Sequence, residues 1–407
     1  MRKALIYRIL LILTVLSVAA LGQLPVRLYI GTLDAESVTL AWGRANGVAR
    51  NTIGFAAESS GAATVHIAGK DLTTNKSWLR VTGLAPDTVY PYRVELAGAS
   101  IGTGVIRTWP VKSDSLVFFV IGDWGNGKAA QYAVAARMEK ERQAREKAGQ
   151  PVRFVLTTGD DIYAGGSRDR DWEKKFFAPY ADILQSIPFY ATLGNHDGNE
   201  SESKADLPTY LDNFFFPGGT PSRWYHFSYG GLAEFFALDT TTNQFPGRPA
   251  PAYLPGGEQS AWLKKELEQP GLPWRIAAMH HPLFTAGPDH PPSLGNLGHW
   301  LPLWRDHNVS VVFAGHEHNL QFSERNAATG GMQFVVSGAG GQLRLGNVVG
   351  RMKQRNIAAW APHTHFLVVE IRGDSMRMTP LGPSAIDPVD SQGKRVEMPW
   401  VTRRRNP

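Results

Sequence analysis

Hydrophobic and polar residues follow one pattern in the first quarter of the chain and another in the rest. From residue 24 to about 110, short runs such as 38–42 and 78–81 alternate apolar and polar residues. This alternation is typical of β-strands with one buried face. Turn-forming residues separate the runs, so the sequence predicts a small all-β domain over 24–110.

Beyond residue 110, continuous apolar runs alternate with stretches of helical periodicity. Residues 115–121 form an unbroken apolar run typical of a buried strand, and 129–147 carries Ala130, Val134 and Met138 at four-residue spacing, typical of a helix. The same criteria predict strands at 153–160, 189–194, 275–280, 309–314, 332–337 and 365–371, a strand pair within 224–239, and helices at 169–186, 258–269 and 297–306. Strands alternate with helices and then dominate, which indicates a layered α/β domain with a mixed sheet.

Five of the predicted strands end in the same way, at a glycine or small residue followed by Asp, Asn or His. These ends supply seven candidate metal ligands, which are Asp123, Asp160, Tyr163, Asn195, His280, His316 and His318. In α/β folds the chemistry lies at the carboxyl ends of strands, so the five ends could converge on one site. Oxygen donors mixed with imidazole suit iron, zinc or manganese rather than calcium. Seven donors exceed the needs of one tetrahedral ion, so we expect two ions that share Asp160.

The motifs that contain these residues resemble the ordered signature of the calcineurin-like metallophosphoesterases and, more narrowly, of the purple acid phosphatases. They are Gly122-Asp123-Trp124-Gly125, Gly159-Asp160-Asp161-Ile162-Tyr163, Gly194-Asn195-His196-Asp197, Met279-His280-His281-Pro282 and Gly315-His316-Glu317-His318. In the wider superfamily a histidine stands where this chain has Gly125. The Asp160-x-x-Tyr163 spacing supplies a phenolate instead, which marks the purple branch. The resemblance covers about 115 to 385 and implies an α/β fold, a four-layer metallophosphoesterase-type βαββα sandwich preceded by a small all-β sandwich domain.

The resemblance also implies a role for each ligand candidate. Fe(III) would be held by Asp123, Asp160, Tyr163 and His318. A second divalent metal (Fe, Zn or Mn) would be held by Asp160, Asn195, His280 and His316. A metal-bound water or hydroxide would then attack phosphorus, in a bimetallic acid phosphatase that hydrolyses phosphate monoesters.

Two further histidines are candidate catalytic residues. His196 follows the ligand candidate Asn195, and by the resemblance it would stabilise the phosphate or protonate the leaving group. His290 lies ten residues after His280, where the family often has a second histidine. The ligand set does not distinguish a phosphomonoesterase from a phosphodiesterase or nucleotide hydrolase, so these remain alternatives. A non-catalytic binding protein is the other class, and the complete ligand set argues against it.

Several other residues gain no assigned role from the sequence. Asp161 and Asp197 could orient ligands or serve local structure alone, and His281 is expected in a supporting position or facing away. His363 and His365 repeat the His-x-His spacing without a glycine-ended turn, so we expect no metal role for them. In the front domain, 83–94 resembles the late-strand signature of fibronectin type III domains, with Tyr90 at the corner of the sandwich.

Composition and charge limit the class of protein and the kinds of site that the chain can contain. Of 407 residues 43% are hydrophobic and 19% charged, which indicates a globular protein, and the absence of cysteine excludes disulfides, zinc–thiolate sites and cysteine nucleophiles. A basic start followed by an apolar run over 9–20 resembles a secretory signal. The run is shorter than the roughly 20 residues of a membrane span, which argues against an uncleaved membrane anchor.

The chain is therefore expected to be secreted or periplasmic, with a signal peptide at 1–22, the β-domain at 24–110, the catalytic domain at 113–385 and a tail at 386–407. Without Arg2, Lys3 and Arg8 the formal charge falls from +6 to +6 − 3 = +3, which does not indicate nucleic-acid binding. We expect a small phosphorylated substrate and no stable membrane anchor. The basic residues 403–405 are expected to be solvated and disordered.

Overall fold

The structure is a computed structural model that describes residues 25–47, 62–163, 169–197, 207–219, 221–242 and 252–405. The predicted signal peptide lies outside the described residues. Within those ranges, no helix is both long enough and apolar enough to cross a membrane.

The front of the chain forms two antiparallel sheets, as the alternating pattern predicts. The three-stranded sheet has the order β1 (Tyr29–Leu33), β2 (Ser37–Ala41), β5 (Trp78–Thr82), and the four-stranded sheet has the order β4 (Lys70–Thr74), β3 (Ala63–Ile67), β6 (Val89–Leu96), β7 (Ala99–Arg107). Alternate residues such as Val38, Leu40 and Val65 are fully buried. The hydroxyl of Tyr90 accepts a hydrogen bond from the backbone N–H of Ala85 at 2.8 Å, the contact expected of a tyrosine at the sandwich corner.

The rest of the chain builds two larger mixed sheets. The six-stranded sheet has the order β10 (Phe189–Tyr190), β9 (Val152–Thr157), β8 (Ser115–Ile121), β18 (Phe366–Arg372), β19 (Ser375–Leu381), β20 (Trp400–Arg403). The seven-stranded sheet has the order β11 (Tyr225–Tyr229), β12 (Ala233–Ala237), β13 (Trp274–Ala278), β14 (Val309–Ala314), β16 (Gln333–Ser337), β15 (Leu320–Ser323), β17 (Ile357–Ala361). Strands β8, β9 and β10 run parallel in the first sheet, and β12, β13, β14 and β16 run parallel in the second.

The two larger sheets pack face to face through aromatic side chains. The ring of Phe118 lies 5.3 Å from that of Phe235, and the ring of Phe154 lies 5.4 Å from that of Phe227. Helices cover the outer faces, which makes four layers. The described helices are α1 (Ala129–Lys147), α2 (Asp169–Trp172), α3 (Ala181–Leu184), α4 (Leu207–Asn213), α5 (Glu258–Leu267), α6 (Leu294–Leu297), α7 (Trp300–Asp306) and α8 (Val349–Met352), with a π turn at Glu173–Phe177 and a 3₁₀ turn at Lys353–Arg355.

Three predictions of local structure are wrong. The strand predicted over 189–194 ends at Tyr190. The single helix predicted over 169–186 is instead α2, a π turn and α3, because the backbone N–H of Ala178 bonds five residues back to Glu173. Residues 403–405 are ordered rather than disordered, because β20 adds an antiparallel edge strand to β19 and the next two backbone N–H groups are hydrogen-bonded. Arg404 donates to the Asp374 carbonyl at 3.1 Å, and Arg405 donates to the Ser310 hydroxyl at 3.0 Å.

The front domain is docked on segments that lead toward the strand ends. Arg44 pairs with the buried carboxylate of Asp169 at 2.7 Å, and the hydroxyl of Tyr190 donates to the carbonyl oxygen of Leu33 at 2.9 Å. Tyr190 ends β10, five residues before Asn195. The front domain therefore helps to fix the strand that leads into the turn carrying Asn195.

Candidate active site

The structure brings all seven ligand candidates together at the carboxyl ends of five strands. Asp123 follows β8, Asp160 follows β9 and Asn195 follows β10, all in the six-stranded sheet. His280 follows β13, and the His316–His318 turn follows β14, both in the seven-stranded sheet. Because these strands are parallel within each sheet, their ends share one edge, and the packed sheets bring the two edges together.

Three of the candidates have an unusual backbone conformation. Asp123 and Asp160 each have φ of 55°, and His316 has φ of 68°, in the left-handed region that non-glycine residues rarely adopt. The turns are tied to one another, since the backbone N–H of His316 donates to the Asp123 carboxylate at 2.9 Å. Strained backbone of this kind persists where the surrounding structure fixes it, and it is concentrated at functional sites.

One group of donor atoms comprises Asp123, Tyr163 and His318. The hydroxyl of Tyr163 lies 3.1 Å from Asp123 Oδ1 and 3.2 Å from His318 Nε2, and the last two atoms are 3.3 Å apart. We call these residues the first donor group. Three donors at mutual distances of about 3 Å match the ligands of one ion bound at about 2 Å.

A second donor group comprises Asn195, His280 and His316. Asn195 Oδ1 lies 2.8 Å from His280 Nε2 and 2.9 Å from His316 Nδ1, and the two ring nitrogens are 3.1 Å apart. His280 Nδ1 lies 2.8 Å from the carbonyl oxygen of Thr158, so that nitrogen is the N–H donor. In the neutral ring, the lone pair on Nε2 then faces the oxygen of Asn195, an arrangement that a cation between them makes favourable.

Asp160 stands between the two donor groups. Its Oδ1 lies 3.4 Å from His280 Nε2 in the second group, and its donor atoms fall within 4.8 Å of those of Asp123 and His318 in the first. Burial opposes its ionisation, but His280, His196 and the His196 N–H hold the pKa of Asp160 below its usual value. A carboxylate in this position can bridge two ions.

The electrostatics of the first donor group also favour a cation. Burial raises the pKa of Asp123 well above its usual value, and burial together with the neighbouring carboxylates raises the pKa of Tyr163. Burial without a cation therefore favours the protonated forms of these two groups over their anionic forms. A multivalent ion would favour their anionic forms, as metal ions do for coordinating acids. Donor chemistry and spacing both fit a pair of metal ions.

The structure explains why Gly125 replaces the histidine of the wider superfamily. A Cβ atom at this position would lie 1.7 Å from the carbonyl oxygen of Asp161, so the backbone leaves no room for a side chain. The backbone N–H of Tyr163 donates to the Gly125 carbonyl at 2.9 Å, which places Tyr163 beside Asp123. The Tyr163 hydroxyl thus supplies the donor that Gly125 cannot.

Both candidate catalytic histidines lie beside the donor groups. The backbone N–H of His196 donates to Asp160 at 2.9 Å, and its ring centroid is 4.6 Å from that of Tyr163. The ring of His290 stacks on that of His316 at 3.8 Å, with 26° between the planes. Burial and the nearby Arg344 guanidinium lower the pKa of His290 to about 4.

The carboxylates of Asp161 and Asp197 hold the turns of the site in place. Asp161 accepts hydrogen bonds from the Trp124 indole at 2.9 Å and the Tyr210 hydroxyl at 2.6 Å. Asp197 accepts from the backbone N–H groups of Ile162 at 2.8 Å and Gly194 at 2.7 Å, which joins the Asp160 turn to the Asn195 turn. Both side chains are buried, and burial raises the pKa of Asp161 to about 7.

Three further contacts support the site, and two of them are not evident in the sequence. The ammonium of buried Lys175 donates to the Tyr163 carbonyl, and the His281 ring is held by the Thr240 hydroxyl at 2.9 Å. The third is Tyr210, which reaches Asp161 from α4. Lys175 and Tyr210 lie outside the motifs, in the π turn and in α4, so only the tertiary structure reveals their contacts. His281 could be suspected from the sequence, because it directly follows the ligand candidate His280.

Comparisons with known proteins agree with this geometry. The calcineurin-like phosphoesterase family model matches residues 116–320. Tartrate-resistant acid phosphatase type 5 of Homo sapiens is 30% identical over 246 residues, covering 56% of this chain and 73% of the relative. Purple acid phosphatase 17 of Arabidopsis thaliana is 28% identical over 262 residues, covering 59% of this chain and 72% of the relative.

Solved structures show the same fold. Purple acid phosphatase PPD1 from yellow lupin seeds superposes with a TM-score of 0.66 at 15% identity, covering 92% of this chain and 74% of that one. The structure of PhoD superposes with a TM-score of 0.62 at 16% identity, covering 92% of this chain and 93% of that one. The chain therefore belongs to the calcineurin-like phosphoesterase family and is a metal-dependent phosphoric ester hydrolase of the purple acid phosphatase type, with a two-metal centre.

Proposed function

We propose that this protein is an exported acid phosphatase that hydrolyses phosphate monoesters of small molecules. Fe(III) is held by Asp123, Tyr163, His318 and the bridging Asp160. A second divalent ion, Fe, Zn or Mn, is held by Asp160 and the second donor group. The observation that carries the proposal is the division of the donors into two groups of three, with the carboxylate of Asp160 between them.

The two donor groups differ in chemistry, which supports two different ions. The first combines a carboxylate with a phenol, and anionic oxygen donors favour a hard, highly charged ion such as Fe(III). The second combines a neutral amide oxygen with two imidazoles, which suits a divalent ion. When bound, such a pair activates water and neutralises charge on the transferring phosphoryl group.

The residues of the chain itself bind and orient the substrate. His196 and His290 flank the donor groups, one beside Tyr163 and the other on His316. From these positions their ring N–H groups can donate to phosphoryl oxygens as charge accumulates, or pass a proton to the departing oxygen. Asp161 and Asp197 keep the turns fixed, so that the donors need not rearrange during turnover.

The assignment as a monoesterase is tested by the ratio of kcat/KM for 4-nitrophenyl phosphate to that for bis(4-nitrophenyl) phosphate. We expect the monoester to be preferred at least tenfold. Asp160→Ala should abolish both activities and serves as the control for contaminating hydrolases. A preference for the diester would overturn the monoesterase assignment and leave a phosphodiesterase on the same site. Nucleoside phosphates tested alongside distinguish the nucleotide hydrolase.

The assignment of Fe(III) is tested by the visible spectrum of the purified protein. A tyrosinate on Fe(III) gives a broad visible band, which Tyr163→Phe should remove. Tyr180→Phe is the matched control, because Tyr180 is also fully buried but belongs to neither donor group. Two metals without such a band would overturn the iron assignment while leaving the two-metal centre.

The proposal of export rests on the basic and apolar pattern at the start of the chain, which lies outside the described residues. The mass of the protein isolated from its native cells tests this. Loss of about the first 22 residues and recovery from outside the cytoplasm are expected, whereas a full-length cytoplasmic protein would contradict the proposal.

A further inference from the structure

Glu317 is a buried carboxylate that belongs to neither donor group. It lies between His316 and His318 in the turn after β14, and its side chain is fully buried. Its Oε2 accepts a hydrogen bond from the backbone N–H of His290 at 3.0 Å, and its Oε1 lies 3.4 Å from the amide of Asn319. One residue thus connects the turn that carries two ligand candidates to the segment that carries His290.

The segment before His290 is in direct contact with this carboxylate. A Cβ atom at Gly287 would lie between 2.0 and 2.3 Å from the Cγ, Cδ and Oε2 atoms of Glu317, closer than real Cβ contacts. The chain therefore passes over Glu317 at a distance that only glycine permits. Any larger residue at 287 must displace either the segment or the carboxylate.

An arginine on a third segment provides countercharge for the buried carboxylate. Arg344 Nη1 lies 4.0 Å from Glu317 Oε2, and Arg344 Nε lies 3.2 Å from the carboxylate of Asp289, the neighbour of His290. The backbone N–H of Arg344 donates to the His318 carbonyl at 3.0 Å. A buried carboxylate is costly unless it is paired and hydrogen-bonded. The His290 N–H supplies the hydrogen bond, and the Arg344 guanidinium supplies positive charge from a distance that is too long for a hydrogen bond.

We infer that Glu317 is a positioning residue that holds His290 against His316, over the two-metal centre. The carboxylate fixes the His290 backbone, and the imidazole then stacks on His316 at 3.8 Å. This inference rests on the proposed function, in which His290 contacts the substrate. Without Glu317, the segment 287–290 would lose the hydrogen bond that fixes its backbone, and the His290 ring would no longer be held against His316.

A double-mutant cycle on the metal-loaded enzyme tests the inference, with Glu317→Ala and His290→Ala made singly and together. If Glu317 acts through His290, we expect Glu317→Ala to lower kcat/KM for 4-nitrophenyl phosphate at least tenfold. In the His290→Ala background the same change should have less than a twofold effect. Glu317→Gln keeps an oxygen acceptor for the His290 N–H and should recover most of the loss.

Two further variants separate positioning from general destabilisation. Glu234→Ala is the matched control, because Glu234 is also buried, accepts a backbone N–H (from Leu272) and pairs with an arginine (Arg275 at 2.6 Å). It should lower the melting temperature without reproducing the kinetic pattern. If Glu317→Ala does not fold, Gly287→Ala disturbs the same contact from the other side and should give the same non-additivity with His290→Ala.

Equal losses from Glu317→Ala in both backgrounds, or no loss in either, would overturn the inference. Metal content is measured for every variant, and a loss of rate that follows a loss of metal would also overturn it. The same cycle is measured on the Kd of inorganic phosphate, which requires no turnover. If the wild type hydrolyses no ester but its phosphate affinity depends on Glu317 only when His290 is present, the proposed function fails while the positioning role stands.

Discussion

Residues 315–318 and 362–365 both contain the spacing His-x-His, yet only the first segment contributes histidines to the two donor groups. The first pair ends a parallel strand, with His316 in the left-handed region and His318 3.3 Å from Asp123. The second pair lies in the connection between β17 and β18. There His365 is fully buried, with Nδ1 donating to the His363 carbonyl at 2.8 Å and Nε2 3.1 Å from the Ser337 hydroxyl.

The comparison shows that spacing alone does not make a metal site. Both nitrogens of His365 are used within the protein, which leaves no lone pair for an ion. His318 instead directs Nε2 at a carboxylate and a phenol, both of which become good ligands once deprotonated. The two pairs differ in their place in the fold. His316 and His318 follow a parallel strand whose end faces the ends of other strands that carry donors, whereas His363 and His365 do not.

The largest difference between the pairs should appear when the second histidine of the catalytic turn is removed. His318→Ala should lower kcat/KM at least about a thousandfold, or roughly 4 kcal/mol, because one ion loses a ligand and the transition state loses that charge. The measurement is steady-state kinetics together with metal content. A variant that keeps both ions and most of its rate would contradict the assignment of His318.

The pH dependence of stability should include a contribution from His365. Burial lowers the pKa of His365 to about 4, below its value of 6.5 in the unfolded chain. Between these two pKa values, His365 binds a proton in the unfolded state but not in the folded state, so the free energy of unfolding falls as the pH falls. The difference corresponds to roughly 3 kcal/mol, fully present above pH 6.5 and lost by about pH 4. In denaturant unfolding, wild type should lose about 3 kcal/mol more stability than His365→Gln between pH 6.5 and pH 4, and parallel pH dependences would contradict the prediction.

At neutral pH, His365→Ala should affect stability but not chemistry. Loss of two buried hydrogen bonds and of the ring's packing should lower the free energy of unfolding by about 2 kcal/mol. Metal content and kcat per folded molecule should stay within twofold of wild type, measured well below the melting temperature. A large loss of metal would mean that this pair does contribute to the centre.

The smallest effect should come from His363→Ala. His363 is partly exposed, and the contact that it makes to His365 uses its backbone carbonyl, which alanine retains. Stability should therefore change by less than about 0.5 kcal/mol, and activity should not change. Thermal unfolding measures this, and a loss as large as that of His365→Ala would show that the side chain matters.

Helices and strands could be predicted from the sequence where their hydrophobic pattern is strong and unbroken. The apolar run 309–314 and the amphipathic stretch 129–147 occur as β14 and α1 with the predicted bounds. The strands β15, β17, β19 and β20 were not predicted. β15 is only four residues long, β17 is rich in alanine, and β19 contains Arg377 and Pro380, so each carries a weak β signal. Their existence depends on pairing with strands distant in sequence.

The candidate site was more predictable than its surroundings. Asp123, Asp160, Asn195 and His316 each follow an apolar run and a glycine, and this local signal can be recognised without knowledge of the fold. The residues that hold those ligands, such as Lys175, Tyr210 and Glu317, act through contacts between distant segments. Their roles depend on packing, because a buried lysine or tyrosine in a helix gives no sign of what it touches.

The central claim is that the two donor groups and Asp160 hold two ions, and the most direct test is the metal stoichiometry of the purified protein by mass spectrometry. We predict two ions per chain in the wild type, and a loss of both in Asp160→Ala because the carboxylate serves both groups. A wild-type protein that holds a single ion, or an Asp160→Ala variant that keeps two, would contradict the account.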